Sequence, residues 1–228
     1  MSPEWGRYDQ AKADADIAVH AALAITHGAT DALADQADIA VHAAILNAHT
    51  QDIYQLVRTG EYLIMPWGYP DIQPITADTL YASPLWIPRA ITADRLAIQV
   101  STAGASGKAA RLGIYNDGTN LYPGTLLLDA GTVAVDSTGV KAITISQALT
   151  KGLYWVVVVS NGAPEIRGQR AIFSPIGFIT TPSLEFSDPC ALWQVAFTYA
   201  ALPDPFTASG TKSTFRALHV PPRVLSLD

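Results

Sequence analysis

The chain has 228 residues, 49% of them hydrophobic and 15% charged, a balance that supports a sizeable core and excludes intrinsic disorder. Its net charge is −6 and its 14 Lys and Arg residues are scattered, so no electrostatic footprint for a nucleic-acid partner is present. One cysteine, Cys190, excludes an intrachain disulfide, and with no catalytic signature around it the residue reads as a small, half-buried one.

Met1 to Gly6 shows no basic region followed by an apolar run, so no secretory signal is expected. From Asp9 to Arg58 the chain is rich in Ala, Asp, His and Gln, with Gly28 as its single glycine and no proline. Alanine is the best helix former and the main breakers are nearly absent, so this stretch is expected to be helical. Within it, Ala37 to Ala44 repeats Ala15 to Ala22 at an offset of 22 residues.

In each copy a second histidine follows the first by seven residues, His20 with His27 and His42 with His49. A heptad register passes through Ile17, His20, Ala24 and His27, and a second through Ile39, His42, Leu46, His49, Ile53 and Leu56. The registers do not join, because 22 is three heptads plus one residue; it is also two elevens, which favours a right-handed supercoil. Two structures fit: one helix with a one-residue skip between Gly28 and Asp35, or a break at His27-Gly28 with a restart at Thr30 or Asp31. The continuous or slightly broken rod is the expected one, since Gly28 is the only breaker.

Alanine and histidine make this seam weak for a two-stranded coiled coil, and in a three-fold bundle three imidazoles would meet at each layer near the axis. Such layers could hold water, an anion or a metal ion, or the histidines could face outward, but the expected role is to set register and oligomer state, and no metal site is assigned to them. Asp16 with His20 and Asp38 with His42 are read as helix-stabilising contacts rather than catalytic dyads.

Every proline except Pro3 lies after Gly60, which divides the chain into residues 1–60, an anchor and helical stem, and 61–228, a β head. From Glu61 to Pro88 the closely spaced prolines rule out a long helix, leaving extended segments that lie over a core or against a neighbouring subunit. Trp67, Tyr69 and Trp86, with Tyr122 further on, sit in loop-like contexts and are the candidate sugar-contacting aromatics.

From Asp94 the pattern is one of short strands. Leu96, Ile98 and Val100 alternate with Ala97, Gln99 and Ser101. Ala110 to Tyr115 is the next strand, closed by a tight turn at Asn116-Asp117-Gly118. Leu126 to Leu128, Thr132 to Val135 and Val140 to Ser146 continue the series. Tyr154 to Val159, apolar on both faces, belongs in the middle of a sandwich; Leu153 to Val159 is too short to cross a membrane, so no membrane insertion is expected. After a turn at Asn161-Gly162, Ile166 to Ser174, Trp193 to Tyr199 and Phe215 to Leu225 supply the last strands. Roughly eight to ten strands without helices between them predict a mainly β fold, a C-terminal jelly-roll-like β-sandwich head behind an α-helical coiled-coil stem.

Between Thr79 and Gly168 a series of phrases recurs in a familiar order: Leu80 to Pro84, Ile87-Pro88-Arg89, Asp94 to Ile98, Arg111 to Tyr115, Tyr122-Pro123-Gly124, Leu128 to Val133 and Gly152 to Trp155. This order resembles a β-sandwich module of structural proteins of tailed bacteriophages, especially fibre and spike tips. The resemblance implies a homotrimer with a helical stem leading into a β head, at the virion surface after synthesis in the host cytoplasm. It carries over no active-site residues. The expected partners are further copies of the chain, capsid or tail proteins, and a host-surface glycan. One departure is expected: with Ser2 to Tyr8 as the possible anchor before the stem, a short fibre, a head fibre, a capsid decoration protein or one attached through its helices is favoured.

No nucleophile elbow, phosphate-binding loop, paired-histidine metalloprotease helix or Cys-based metal site appears, and no cofactor is expected. Gly104 to Lys108 reads as a hairpin loop. Asp117, Asp129, Asp136, Glu165, Glu185 and Asp188 are the acids from which a glycosidase pair would have to come, and His219 on the last strand reads as structural. The expected function is therefore non-enzymatic: a virion structural protein, with a carbohydrate-binding adhesin module or receptor-binding tip as the alternative and a surface polysaccharide depolymerase behind both.

Overall fold

The computed structural model of the protein describes residues 57–64, 68–171, 190–214 and 217–227, all within one compact unit that begins at Tyr54. The heptad positions from Ile17 to Leu56, and Trp67, lie outside the described residues. In chain order the strands are β1 (Gly68–Pro74), β2 (Thr79–Ile87), β3 (Ile91–Thr102) and β4 (Ala109–Asp117). Then come β5 (Pro123–Ala134), β6 (Gly139–Leu149), β7 (Gly152–Ser160) and β8 (Glu165–Ala171). The last are β9 (Cys190–Ala196), β10 (Thr211–Thr214), β11 (Ala217–Leu218) and β12 (Pro222–Leu227).

They form two antiparallel sheets packed as a β-sandwich. The first runs β1-β8-β3-β12, with β6 on the other edge of β3 and β11 beside β8; the second runs β10-β9-β2-β7-β4-β5. Period-two alternation sets the faces. Leu96, Ile98 and Val100 of β3 meet Leu112 and Ile114 of β4, Val156 and Val158 of β7, and Tyr81, Leu85 and Ile87 of β2 in the core between the sheets.

The opposite face of the second sheet is buried as well. Leu80, Ala82, Tyr115, Trp155, Val157 and Val159 form a second core closed by Leu202 and Phe206. Those two residues belong to the connection from β9 to β10, residues 197–210, which lies over the sheet as a strap. Each contributes about 1.5–3 kcal/mol by burial. Backbone and side-chain bonds hold the strap along its length: Tyr199 N donates to Asp78 Oδ1 at 2.8 Å, Phe206 N to Gly124 O at 2.9 Å, and Leu126 N to Asp204 Oδ1 at 3.0 Å. The Tyr115 hydroxyl donates to Pro203 O at 2.5 Å, and its pKa stands well above the usual phenol range because of burial first and the Asp129 and Asp204 charges second. β7 therefore has both faces covered, which is why Tyr154 to Val159 is continuously apolar.

Several expectations need correction. Leu80 to Pro88 is not a segment lying over a core: β2 is an inner strand, paired with β7 along its length and with β9 from Thr79 to Ala82. Pro84 is tolerated because the β9 pairing has already stopped there, so no ladder bond is missed on that side. Asn116 and Asp117 belong to β4, and the turn falls later, where Gly118 N donates to Tyr122 O at 2.8 Å and Asn120 and Leu121 take positive φ. The two short strands expected at Leu126–Leu128 and Thr132–Val135 are one strand, β5, carried through an irregularity at Gly131 with φ of 101°. Gly104 to Lys108 is a loop but not a hairpin, since β3 and β4 lie in different sheets.

Candidate functional site

The first sheet forks. β8 pairs with β3 only at Val100↔Ile166 and Thr102↔Glu165, and then with β11 at Gly168↔Leu218 and Gln169↔Ala217. β12 takes over the same edge of β3 from Pro222↔Leu96 onward. Across the gap, Ala97 N donates to Pro221 O at 3.2 Å and His219 N to Arg167 O at 3.2 Å. Pro221 and Pro222 have no N–H to offer, so the chain cannot continue beside β8 and turns across to β3. At Gly168 a Cβ would stand 2.4 Å from Ala217 O and 2.7 Å from Gln73 Cγ, so only glycine lets β11 come this close.

The entering chain closes the far edge of β12. Gly60 N donates to Val224 O at 2.7 Å, Val224 N to Glu61 O at 2.9 Å and Leu63 N to Pro222 O at 2.9 Å, with Tyr62 bridged to Arg223. Val57 and Leu63 pack against the main core.

At the fork is a cavity of about 130 Å³. Tyr62 and Ile64 line it from the entering chain, Ala97, Ile98 and Gln99 from β3, Val140 from β6, Arg167 from β8, and His219 and Pro221 from the corner between β11 and β12. A second cavity, about 30 Å³, shares Ile64, His219 and Pro221 and reaches Ser83, Leu85, Val156 and Gln169. Ile64 and Val140, 50% and 62% exposed, are among the most exposed large apolar residues described, and both border the larger cavity.

The electrostatics are one-sided, since neither cavity has an Asp or Glu in its lining. Arg167 has no ion-pair partner among the described residues. Beside it on the same sheet, Arg95 and Arg223 are cross-strand partners, and Arg223 is paired with Asp94 through Nε to Oδ1 at 2.9 Å and through a second contact from Nη2 to Oδ2. That hydrogen-bonded guanidinium holds the Asp94 carboxyl below the usual carboxylate range. His219 Nε2 is buried with no hydrogen-bond partner, and burial lowers the imidazole pKa, so the ring is neutral at pH 7. An unmade bond at a buried polar atom costs about 1–3 kcal/mol.

Of the sequence-predicted aromatics, the three among the described residues stand on different stretches of the fold. Trp86 stands near the end of β2 opposite Leu153, 39% exposed. Tyr69 is on β1, opposite Arg170. Tyr122 is engaged in the strap: its ring meets Trp193 at 4.9 Å and Phe206 at 5.6 Å, its hydroxyl donates to Thr207 O at 2.6 Å, and it accepts from Gly210 N at 2.8 Å. Of the six candidate acids, four have structural partners. Asp117 accepts from Trp155 Nε1 at 2.8 Å, Asp129 takes Arg111 through both oxygens, Asp136 accepts from Gly107 N at 3.1 Å and Glu165 from the Thr102 hydroxyl. Glu185 and Asp188 lie outside the described residues. Among the described residues no group of three or more His, Cys, Asp and Glu side chains is placed to hold a metal ion.

Sequence reasoning missed Tyr62, Gln99, Val140 and Arg167 as neighbours of His219. The signal that marks the place is His219-Val220-Pro221-Pro222 inside an apparent strand, two prolines that no continuous ladder accepts. Comparisons with protein-family models, curated proteins and solved structures return no match. By its fold the protein is an antiparallel two-sheet β-sandwich with a strapped second core and a forked sheet.

Proposed function

We propose that the protein is a non-enzymatic structural component of a tailed-phage virion, a homotrimeric short fibre or capsid decoration protein with a helical stem and a jelly-roll-like head. The observation that carries this reading is where the resembling phrases fall. Leu80 to Pro84 lies in β2, Asp94 to Ile98 in β3, Arg111 to Tyr115 in β4, Leu128 to Val133 in β5 and Gly152 to Trp155 in β7. Tyr122-Pro123-Gly124 forms the entry to β5 and anchors the strap. The phrases are thus framework residues of one sandwich, as a shared structural module requires. The stem repeat supports the reading independently, because an Ala- and His-rich seam needs partner helices.

Labelling the protein with gold-conjugated antibody on purified particles tests this reading. Regular decoration of capsid or tail is the expected outcome; particles that never carry the label would sink it. A second reading, a carbohydrate-binding adhesin module, is favoured by the cavity at the fork, whose mostly apolar lining includes Tyr62, Gln99 and Arg167 and no carboxylate. Binding of the purified protein to host cells separates the two roles, because a component that only clamps the capsid leaves cells unlabelled.

A further inference from the structure

We infer that the fork cavity binds a single carboxylate-bearing sugar unit, of the uronic-acid class, within a surface polysaccharide. This rests on the second reading above, a head that binds carbohydrate, and it names the site and the chemistry. Charge is the first argument. The chain carries −6 overall, yet this cavity is lined by one arginine, Arg167, and by no acidic residue. A planar guanidinium pairs with a carboxylate through two parallel bonds, the geometry for which arginine is best suited.

Size is the second argument. About 130 Å³ is well below the roughly 300–1,000 Å³ of drug-sized ligand sites, so it admits one ring-sized unit with the remainder of a chain outside. Ile64, Val140 and Pro221 supply apolar surface for the C–H face of a ring, and Gln99 and Tyr62 supply polar atoms for its hydroxyls. A phosphate monoester is a poorer fit, since it brings close to two negative charges to a cavity with one cation and apolar walls.

The test uses the full chain and two probes, an oligosaccharide containing glucuronate and the same oligosaccharide with its carboxyl groups reduced to alcohols, titrated calorimetrically. The expected result is saturable binding of the acidic probe at millimolar or lower concentration, weakened about tenfold or more by reduction of the probe or by Arg167→Gln. Val140→Glu, an exposed change that places a carboxylate at the rim, should weaken it as well, with melting temperatures of both variants unchanged. Equal binding of the two probes, binding indifferent to both substitutions, or no binding of the acidic probe at millimolar concentration overturns the inference. Particle labelling is a separate readout: a labelled virion whose protein ignores the acidic sugar removes this site and leaves the proposed function. An acid-specific protein absent from virions removes the function and leaves the site.

Discussion

At the scale of single residues, two positions carry consequences that their local sequence does not announce. Gly113 sits in β4 beneath the strap, where a Cβ would stand 2.2 Å from Leu202 Cδ1 and 2.6 Å from Leu128 O. The leucine methyl has room to rotate away, but a backbone oxygen in a paired strand does not. Gly113→Ala should therefore lower stability by about 1–3 kcal/mol, read as a lower urea midpoint with an unchanged slope. His219 makes stability depend on pH. Its folded pKa is depressed by burial, so the unfolded chain binds the proton more readily. That contribution is complete above the unfolded value of about 6.5 and is lost as pH falls below it, at no more than about 1.4 kcal/mol per pH unit. Arg167 lines the same cavity, and its charge opposes a second cation there. Urea unfolding at pH 7.5 and 5.5 should show the native protein losing stability, with His219→Gln losing less across the same interval. Neither effect was legible in the sequence. Gly113 reads as one residue of a strand phrase, and its constraint lies in Leu202 far along the chain; His219 was expected on the last strand, whereas it stands at the corner between β11 and β12 with an unpaired Nε2.

At the scale of elements, the strap decides how the second sheet is covered. Arg111 Nη1 donates to both oxygens of Asp129, at 2.9 and 2.8 Å, and the same carboxylate accepts Leu202 N at 3.1 Å and Gly131 N at 3.2 Å. One side chain thus ties β4, β5 and the strap together. Phe206 fills the space between Tyr115, 5.3 Å away edge-on, and Tyr122. Phe206→Ala should cost about 3–5 kcal/mol and expose the second core. Acrylamide quenching of indole emission should rise as Trp155, 1% exposed in the native protein, becomes accessible. A substitution that leaves quenching unchanged would mean that the strap is held by its hydrogen bonds without the Phe206 ring. Elements were legible where period-two alternation is undisturbed, as in β3 and β6, and β7 was legible as covered on both faces. What covers its outer face was not, because residues 197–210 have no periodicity and act through scattered bonds. β2 was hidden by Pro84, whose acceptability depends on where β9 stops pairing. The fork was hidden because its residues come from five separated stretches of chain.

At the scale of the whole molecule, the entering chain and the sandwich are tied in a way that bears on where the head begins. Composition places the change near Gly60, but Val57 already packs on the core and Gly60, Glu61 and Leu63 bond to β12. β12 has β3 on one edge and this segment on the other, so removing the segment exposes Val224 N and O together with apolar surface. A head cut to begin at Tyr54 should fold and remain soluble, whereas one cut to begin at Ile64 should be markedly less stable or insoluble. The same pair of proteins tests assembly. With the proposed stem present, light scattering should give about three times the 24.2 kDa of the chain, and the head beginning at Tyr54 should give a single copy. A head that stays trimeric without residues 1–53 would place the assembly contacts in the sandwich, and the heptad seam would lose its proposed role. A full chain that is monomeric at micromolar concentration would remove it outright. A weak seam of alanine and histidine would associate only through its length, while the sandwich has two cores of its own, both buried within the one chain.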